Sequence, residues 1–329
     1  MLLAGDVGAT KTNLAVYSLK ARPGRPFQEK TFSSSDFSDL ESLVSEFLSR
    51  LNVKIERAVL GVAGPVVEGQ AKIVNLSWII EKEKLERNLK LSSVRLLNDL
   101  EAIANAVPIL EKSDQRTIHK GDPEKNGTIA VIAPGTGLGE AFLLCDGLNY
   151  RAIPSEGGHA DFAPADSRQT ELLEYLREQF GHVSCERVCS GRGIPNIYAF
   201  LKEQQIAEEP TWLADKLAKT DDPTPVIVNA AQEGEESCRL CVETVRLFVS
   251  ILAAEAGNLA LRVLATGGVY LGGGIPPRVL SFLSEPYFLK AFQDKGRLSD
   301  MMSRIPIYVI LNPKAALLGA ARVGFEMYK

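Results

Sequence analysis

The sequence predicts an α/β protein made of two domains, and three observations support this prediction. The chain has 329 residues, which is more than one small module needs and fits two packed domains. Short apolar runs typical of strands are separated by stretches with the 3.6-residue periodicity of helices. A strand, a turn rich in Gly and Thr and a second strand occur twice, first at the N-terminus and again near residue 135.

Composition and charge limit the classes of function. Hydrophobic residues make up 45% and charged residues 24% of the chain, the proportions of a folded globular protein. The 37 basic and 41 acidic residues give a net charge of −4, which excludes a generally basic nucleic-acid surface. No stretch approaches the ~20 apolar residues of a membrane span. Asp6 also lies where a signal peptide would need an apolar run, so we expect a cytoplasmic protein.

The cysteines do not indicate a disulfide framework, because the chain has five of them, an odd number for its length. Cys238 and Cys241 form a C-x-x-C pair, and Cys185 and Cys189 are four residues apart. A zinc site is conceivable at these spacings. Both pairs lie in apolar-periodic surroundings, however, which favours buried free thiols.

In the first half of the chain the predicted elements alternate between strands and helices. A strand over 1–5, a tight turn over 6–10 and a strand over 12–17 form a hairpin. The remaining elements are a helix over 38–51 with Ser38 as its N-cap, strands over 58–63 and 94–97, and a helix over 100–107.

The second half begins with a second hairpin and is then largely helical. The hairpin has strands over 128–133 and 140–144, joined by a turn over 134–139. Its resemblance to the first hairpin is too weak in sequence to establish a repeat. The predicted elements that follow are helices over 170–180, 194–205, 211–218 and 235–256, strands over 265–271 and 306–311, and a closing helix over 314–328.

Several well-known catalytic motifs are absent from the sequence. A Walker A loop needs Gly directly before its Lys, and here Thr10 precedes Lys11. Gly135 to Gly139 does not read G-x-G-x-x-G, and a strand follows it instead of a dinucleotide-binding helix. The chain has no G-x-S-x-G nucleophile elbow and no H-E-x-x-H zinc motif.

The two Gly/Thr turns are candidate phosphate sites. Gly8 lets the backbone approach a ligand and direct N–H groups at it, Thr10 adds a hydroxyl, and Asp6 could hold Mg²⁺ through water. Ordinary hairpin turns use the same residue types, so one such turn would prove little. A second turn of the same kind over 135–139 shifts the balance toward a bound nucleotide phosphate. Gly272 to Gly274 could pass beneath a flat adenine, although this signal is weak alone.

Asn98 and Asp99 follow a buried strand directly. The carboxyl ends of strands form the edge at which open α/β sheets bind ligands, and a carboxylate there could accept a proton from a hydroxyl. The alternative is helix capping, since Asn and Asp are preferred N-cap residues. The two roles are compatible.

A polar cluster over 155–159 carries two further candidates, Glu156 and His159, beside two glycines. A hydrolytic triad of Ser155, His159 and Asp161 is discounted, because triad members rarely lie within one short stretch. Glu186 lies near the start of a short predicted helix, where a partner for the helix dipole is the alternative interpretation.

Taken together, these segments resemble the bacterial glucokinases of the hexokinase, actin and heat-shock ATPase superfamily. The similarity runs from end to end in the order of the family. The matching segments are LAGDVGATKTNLAVY, LLNDLEAIANAV, VIAPGTGLGEAFL, PSEGGHADFAP, GHVSCERVCSGRGIPNIY, GGVYLGGGIPPR and NPKAALLGAARVGF.

The resemblance implies an α/β fold of two ribonuclease-H-like (actin-like ATPase) domains flanking a deep cleft. The smaller domain would comprise residues 1–108, completed by the C-terminal helix over 313–329, and the larger domain residues 109–312. The implied activity is transfer of the γ-phosphoryl group of ATP, with Mg²⁺, to the 6-hydroxyl of glucose, the first step of glycolysis. The family also suggests a homodimer.

The resemblance further implies a role for each candidate residue. Asp99 would be the general base, Asn98 would hold neighbouring hydroxyls, and Glu156, His159 and Glu186 would bind hydroxyls on the other side of the sugar. The expected nucleotide contacts are Gly5, Asp6, Val7, Gly8, Ala9, Thr10, Gly135, Thr136 and Gly137 for the phosphates and Gly272, Gly273 and Gly274 for the adenosine, with Asp6 also holding Mg²⁺ through water.

The sequence departs from the family pattern at the first turn. The family usually reads D-x-G-G-T there, and Ala9 replaces the second glycine. If this position needed a positive φ, Ala9 would cost about 1 kcal/mol or more and alter nucleotide affinity slightly. The cysteine-rich zinc loop of repressor-type sugar kinases is missing after His159, and so is an N-terminal helix-turn-helix.

Two alternative functions remain open at this point. The first is a kinase for another hexose, such as mannose, or for an N-acetylated hexosamine. The second is a non-enzymatic nucleotide switch of the actin or heat-shock type, which would not need the cluster of Glu156, His159 and Glu186.

Overall fold

The computed structural model describes residues 1–20, 22–73, 76–147, 149–232 and 238–328. Within these ranges the chain is a mixed α/β protein. The strands are β1 (Leu2–Val7), β2 (Lys11–Tyr17), β3 (Gln28–Ser33), β4 (Arg57–Val62), β5 (Val66–Val67), β6 (Gln70–Lys72), β7 (Ile79–Glu81), β8 (Ser93–Asn98), β9 (Gln115–His119), β10 (Ile129–Pro134), β11 (Leu138–Cys145), β12 (Tyr150–Ser155), β13 (Gly268–Leu271) and β14 (Ile307–Ile310). The α-helices are α1 (Leu40–Ser49), α2 (Lys82–Asn88), α3 (Asp99–Ala106), α4 (Ser167–Phe180), α5 (Gly193–Glu203), α6 (Thr211–Leu217), α7 (Pro223–Ala230), α8 (Arg239–Val263), α9 (Leu280–Leu283), α10 (Pro286–Gln293), α11 (Ser299–Met302) and α12 (Ala315–Glu326).

The chain divides into two compact units. The first consists of Met1–Lys112, Leu148–Pro154 and Asn312–Lys329, and the second of Ser113–Gly147 and Ser155–Leu311. The predicted domains were 1–108 plus 313–329 and 109–312. The N-terminal part of the first unit ends four residues later than predicted, at Lys112, and the unit also includes the separate segment Leu148–Pro154.

The first sheet has the strand order β3-β2-β1-β4-β8. β1 is antiparallel to β2 and parallel to β4, and β4 is parallel to β8. The helix α12 packs with α3 on one face of this sheet, where Leu2, Ala4 and Val59 are buried against Leu317 and Ala320. The opposite face is covered by α1 and its neighbours.

The second sheet has the order β12-β11-β10-β13-β14-β9. A strand is again antiparallel to the next one along the chain (β10 with β11) and parallel to a later one (β10 with β13), and β13 is parallel to β14. In both sheets the first strand of a hairpin (β1 or β10) is followed on its other side by two parallel strands, and in the second sheet β9 adds antiparallel to β14 at the far edge. This shared topology is the ribonuclease-H-like arrangement expected for both domains.

The longest described helix, α8, runs through the core of the second unit. Its predicted range was 235–256, of which residues 235–237 lie outside the described part of the chain. The prediction ended too early, since α8 continues to Val263 and stops at Leu264 in a left-handed conformation. Gly257 lies inside the helix, and a Cβ there would lie 2.6 Å from the backbone oxygen of Phe292. Glycine allows α8 and α10 to pack closely at this point.

Smaller differences from the predicted elements have local causes. The helix α1 is capped by Asp39, whose carboxylate accepts a hydrogen bond from the Ser42 N–H at 2.7 Å, so the prediction of Ser38 as N-cap was wrong. The prediction missed α7, although Asp222 caps it and Pro223 occupies its first turn, an ordinary signal for a helix start. It also missed the short sheet β5-β6-β7.

The cysteine pairs are buried as expected. Cys185, Cys189 and Cys238 are each at most 4% exposed, and no described cysteine forms a disulfide. Within the described ranges, no group of three or more His, Cys, Asp and Glu side chains is arranged to hold a metal ion. None of the described helices combines the length and the apolarity that a membrane crossing requires.

Candidate active site

The polar residues predicted at strand ends in the first unit lie on one edge of its sheet. The parallel register pairs Asp6 of β1 with Gly61 of β4, and Val62 of β4 with Asn98 of β8. Because β1, β4 and β8 run in the same direction, Asp6 and Asn98 lie at the carboxyl ends of their strands. Asp99 follows as the first residue of α3.

Asp6 is a carboxyl group whose surroundings disfavour its charged form. Burial raises the pKa of Asp6 to about 6, a hydrogen bond from Asn13 opposes the rise, and the negative charge of Asp99 adds to it. The Asn13 Nδ2 donates to Asp6 Oδ2 at 3.1 Å, and Asn13 Oδ1 accepts from Thr31 Oγ1 at 2.7 Å. Asn13 is therefore fixed by two strands and orients Asp6.

Asn98 caps the helix that begins with Asp99. Its Oδ1 accepts from the Leu100 N–H at 2.9 Å, and its Nδ2 donates to the Gly64 carbonyl at 3.0 Å. The capping interpretation is thus confirmed for Asn98. Since an amide oxygen accepts two hydrogen bonds and an amide nitrogen donates two, each end of this side chain keeps one position for a ligand. Asp99 Oδ1 also lies 2.8 Å from the Leu100 nitrogen.

The first turn is shorter than predicted, because β1 extends to Val7 and only Gly8, Ala9 and Thr10 remain outside strands. Gly5 and Val7 are buried inside β1, in the core and not in the turn. The Gly8 N–H, expected to face a ligand, donates to the Lys11 carbonyl at 3.0 Å. Ala9 does not have a positive φ, so the expected strain at this position does not arise.

The second turn lies at the carboxyl edge of the second sheet. The parallel register pairs Ile132 of β10 with Leu271 of β13, so the segments after these two strands leave the sheet at the same edge. The Gly272 N–H donates to the Ile132 carbonyl at 2.9 Å. As a result, the structure brings the turn over 135–137 next to Gly272–Gly274, two segments that are distant in sequence.

A cavity of 650 Å³ opens between these segments. Of the predicted nucleotide contacts, Gly135, Thr136 and Gly274 line it. The lining residues that were not predicted from the sequence are Gly191, Arg192, Pro195, Asp221, Asp222, Pro223, Thr224, Pro225, Ile275 and Arg278. The Asp-Asp-Pro helix start at 221–223 was the signal that could have drawn attention to part of this wall.

Two glycines of the cavity leave space that a ligand can take. A Cβ placed on Gly135 or on Gly274 would meet no atom of the described residues within 4 Å, and neither glycine has a positive φ. The reason for glycine at these positions is therefore not a packed neighbour or an unusual backbone conformation. Both positions fit a ligand that lies against the bare backbone.

Glu186 supports the second turn. Its Oε2 accepts from the Leu138 N–H at 3.0 Å, and a Cβ on Gly137 would clash with the same oxygen. The surrounding segment Cys185–Arg187 is a single 3-10 turn. Glu186 therefore packs against the start of β11, a contact that the helix-dipole interpretation did not include.

Glu156 and His159 are brought together on an exposed turn. His159 Nε2 lies 3.9 Å from Glu156 Oε2. The side chain of His159 is 62% exposed and that of Glu156 is 77% exposed. Asp161 instead pairs with His182, with Nε2 to Oδ1 at 2.8 Å. This pairing agrees with the rejection of a triad of Ser155, His159 and Asp161.

Comparison with known proteins decides the family. The glucokinase family model matches residues 3–326. The chain belongs to the glucokinase family. A glucokinase from Nostoc punctiforme is 40% identical over 335 residues, with 98% of each chain covered.

Solved structures of glucokinases share the fold of this family member. The glucokinase of an Antarctic psychrotroph has a TM-score of 0.85 at 32% identity and covers 99% of this chain and 98% of its own. A ROK-family glucokinase from Streptomyces griseus, solved with glucose and AMPPNP, has a TM-score of 0.65 at 20% identity and covers 99% of both chains. The mixed α/β fold is that of the actin-like ATPases.

Proposed function

We propose that this member of the glucokinase family transfers the γ-phosphoryl group of ATP to the 6-hydroxyl of glucose, with Asp99 as the general base. The assignment of the base depends on the position of Asp99 at the carboxyl edge of the parallel strands. Asp99 lies close enough to Asp6 for its negative charge to raise the pKa of Asp6. A carboxylate held there can align a hydroxyl and take its proton as the new bond forms.

The remaining polar residues are proposed to bind the sugar. Glu156, His159 and Glu186 would accept or donate hydrogen bonds to glucose hydroxyls, and Asn98 has one further position at each end of its amide. Polar groups of this kind discriminate strongly, because a sugar that lacks the matching hydroxyl leaves a binding group unpaired.

Mg²⁺ is proposed to accompany ATP, and the residues of the first unit fit it. The negative charge of Asp99 adds to the raised pKa of Asp6, and a cation near Asp6 would relieve this repulsion. Asp6 would hold the ion through water, as is usual for Mg²⁺ bound mainly by phosphates. When bound, the ion neutralises charge on the phosphates.

The 650 Å³ cavity is proposed to take ATP, with phosphates at Gly135 and Thr136 and the adenosine at Gly274. Gly135→Ala or Gly274→Ala would place a methyl group in the open space of the cavity. We expect either variant to fold with an unchanged melting temperature and to raise KM for ATP roughly tenfold, with KM for glucose unchanged. Steady-state kinetics with each substrate varied in turn measure both constants.

The control for these variants is Gly24→Ala. A Cβ on Gly24 would also meet no atom of the described residues within 4 Å, but Gly24 does not line the cavity, so KM for ATP should not change. An unchanged KM for ATP in both Gly135→Ala and Gly274→Ala would contradict the assignment of the cavity.

His159→Ala tests the sugar-binding assignment. The loss of a hydrogen bond to a sugar hydroxyl should raise KM for glucose roughly tenfold and leave KM for ATP unchanged. His182→Ala is the matched control, because this histidine is similarly exposed and pairs with Asp161 instead. Equal KM values for glucose in wild type and His159→Ala would remove His159 from the sugar site.

The activity is tested by a coupled assay of ADP release with ATP, Mg²⁺ and a panel of hexoses. Glucose should give the highest kcat/KM. A clear preference for mannose or an N-acetylated hexosamine would redirect the proposal to another sugar kinase. ATP hydrolysis that ignores every sugar would indicate a nucleotide switch of the actin type.

The cellular setting follows from the donor and from the resemblance. Because ATP is the proposed donor, we place the reaction in the cytoplasm, at the first step of glycolysis. The homodimer suggested by the resemblance can be tested by light scattering coupled to size-exclusion chromatography.

A further inference from the structure

Glu140 is a buried carboxyl group that the proposed mechanism does not use. It is the third residue of β11 and is 1% exposed. Its Oε1 has no hydrogen-bond partner among the described residues. Buried carboxyl groups are normally hydrogen-bonded, so an unpaired one calls for a physical explanation.

The sugar-binding turn rests on this part of β11. A Cβ on Gly157 would clash with Glu140 Oε2, and a Cβ on Gly158 would clash with the Leu138 carbonyl oxygen. The carboxyl group of Glu140 therefore lies directly against the backbone of Gly157, two residues before His159. The turn is also tied to its own strand, since the Gly157 N–H donates to Ser155 Oγ at 3.0 Å.

The groups around Glu140 make its charged form unfavourable. Burial raises the pKa of Glu140 to about 7, the negative charge of Glu255 adds to the rise, and Arg262 opposes it. Glu255 of α8 is itself 4% exposed and accepts hydrogen bonds from Arg262 Nη1 at 2.7 Å and Asn258 Nδ2 at 3.0 Å. These two donors therefore serve Glu255 and not Glu140.

The pKa values of the two thiols beside this cluster are also raised. Burial raises the pKa of Cys185, and the charges of Glu255 and Glu140 add to the rise. The pKa of Cys189 is also raised, with burial again the largest cause. Lys295 donates to Asn258 Oδ1 at 2.8 Å and to the Ala254 carbonyl, so its ammonium group does not pair with Glu140.

We propose that Glu140 is a positioning residue for the sugar-binding turn: its uncharged carboxyl lets Gly157–His159 rest on β11, and its ionisation displaces this turn and weakens glucose binding. This inference rests on the proposed function of the turn. If Glu140 ionised, its Oε1 would carry negative charge with no hydrogen-bond donor among the described residues. The carboxylate of Glu255 would be a second negative charge nearby, so this state would be unfavourable. Movement of the turn away from the carboxylate would lower this free-energy cost, because water could then hydrogen-bond to Glu140.

The expected kinetic signature lies in KM for glucose and not in kcat. Glu140 contacts the turn that carries His159, whereas the proposed base Asp99 belongs to α3. If glucose binds only the form with uncharged Glu140, KM for glucose rises about tenfold between pH 6 and pH 8 for a group that titrates near 7. The KM for ATP should not follow this rise.

The test compares wild type with Glu140→Gln, which keeps the size of the uncharged carboxyl and cannot ionise. At pH 6 the two proteins should have similar KM values for glucose, and at pH 8 the variant should have a value up to about tenfold lower than that of wild type. Any other effect of pH on glucose binding occurs in both proteins and cancels in their ratio. Glu174→Gln, on the exposed face of α4, is the control and should follow wild type at every pH.

A second measurement does not depend on catalysis. Amide hydrogen exchange of residues 157–159, compared between the two proteins at each pH, should show up to about tenfold weaker protection in wild type above pH 7 and equal protection at pH 6. If Glu140→Gln folds poorly, Glu140→Met replaces it in the comparison, because methionine is uncharged and of similar length. The methionine variant should show the protection expected of Glu140→Gln.

The outcomes separate the inference from the function on which it rests. A wild-type protein without glucose phosphorylation would overturn the proposed function, and hydrogen exchange would still test the link between Glu140 and the turn. A KM ratio and an exchange ratio that stay constant from pH 6 to pH 8 would overturn the proposal for Glu140.

Discussion

Asp99→Asn should bind glucose with nearly wild-type affinity and lose almost all turnover. The amide keeps the size and the hydrogen-bonding oxygen of the carboxylate, but it cannot take the proton of the attacking hydroxyl. Loss of a general base costs about 10²–10⁴-fold in rate, and we expect kcat to fall by this factor. The measurements are kcat by the coupled assay and the glucose dissociation constant by isothermal titration calorimetry.

The matched control is Glu101→Gln, two residues further along α3. Glu101 lies 3.5 Å from Arg95 and is part of the same first helical turn, so its replacement tests the effect of lost negative charge in this region. It should reduce kcat only slightly. Turnover of Asp99→Asn within a factor of about two of wild type would show that another group takes the proton, since a lost general base costs far more than this.

Gly319→Ala should destabilise the first unit and slow catalysis together. A Cβ at this position of α12 would clash with the Ala102 carbonyl oxygen and lie 2.8 Å from the Ala106 nitrogen, both of α3. These are backbone atoms, so a change of side-chain rotamer cannot relieve the overlap and the two helices must separate. Overpacking of this kind costs about 1–3 kcal/mol, and a backbone clash belongs at the upper end.

The catalytic effect has the same cause. Because α3 begins at Asp99, a shift of this helix moves the proposed base, and a misplacement of about 1 Å can reduce the rate about 10²-fold. We expect a melting temperature several degrees lower and a reduced kcat at temperatures where the variant is folded. Gly24→Ala again serves as the control, since its Cβ would meet no described neighbour. A Gly319→Ala protein with wild-type stability and kcat would show that α12 and α3 have more freedom to adjust than their packing indicates.

The elements predicted correctly are those with a strong local signal. The two predicted hairpins, the buried strands β4 and β8 and helices such as α1 and α8 were found because apolar periodicity follows directly from which face a residue presents to the core. The amphipathic helix α10 was missed. Not every error has a tertiary cause, since the missed helix α7 carries the ordinary start signal of Asp222 and Pro223. The predicted helix over 235–256 ends before Gly257, yet α8 continues through this glycine, which packs against α10.

The candidate site shows the same division between local and tertiary information. Asn98 and Asp99 could be selected because they follow a buried strand, and the two Gly/Thr turns because of their composition. The cavity could not be predicted, since Arg192, Asp221 and Arg278 come from three separate segments that only the folded chain brings together. Glu140 gave no signal either, because alternation in a strand does not show whether a buried carboxyl group finds a partner.

The sequence by itself determined the alternation of strands and helices, the two turns and, through its motifs, the resemblance to the glucokinases. These features depend on residues that are close together in the chain, so their spacing is visible without the fold. The tertiary structure alone decided that the Gly8 N–H donates within the hairpin, that Glu186 supports the second turn and that Glu140 is buried against Gly157. The last two depend on atoms from distant segments and the first on how the hairpin closes, and burial and hydrogen bonding are set only when the chain packs.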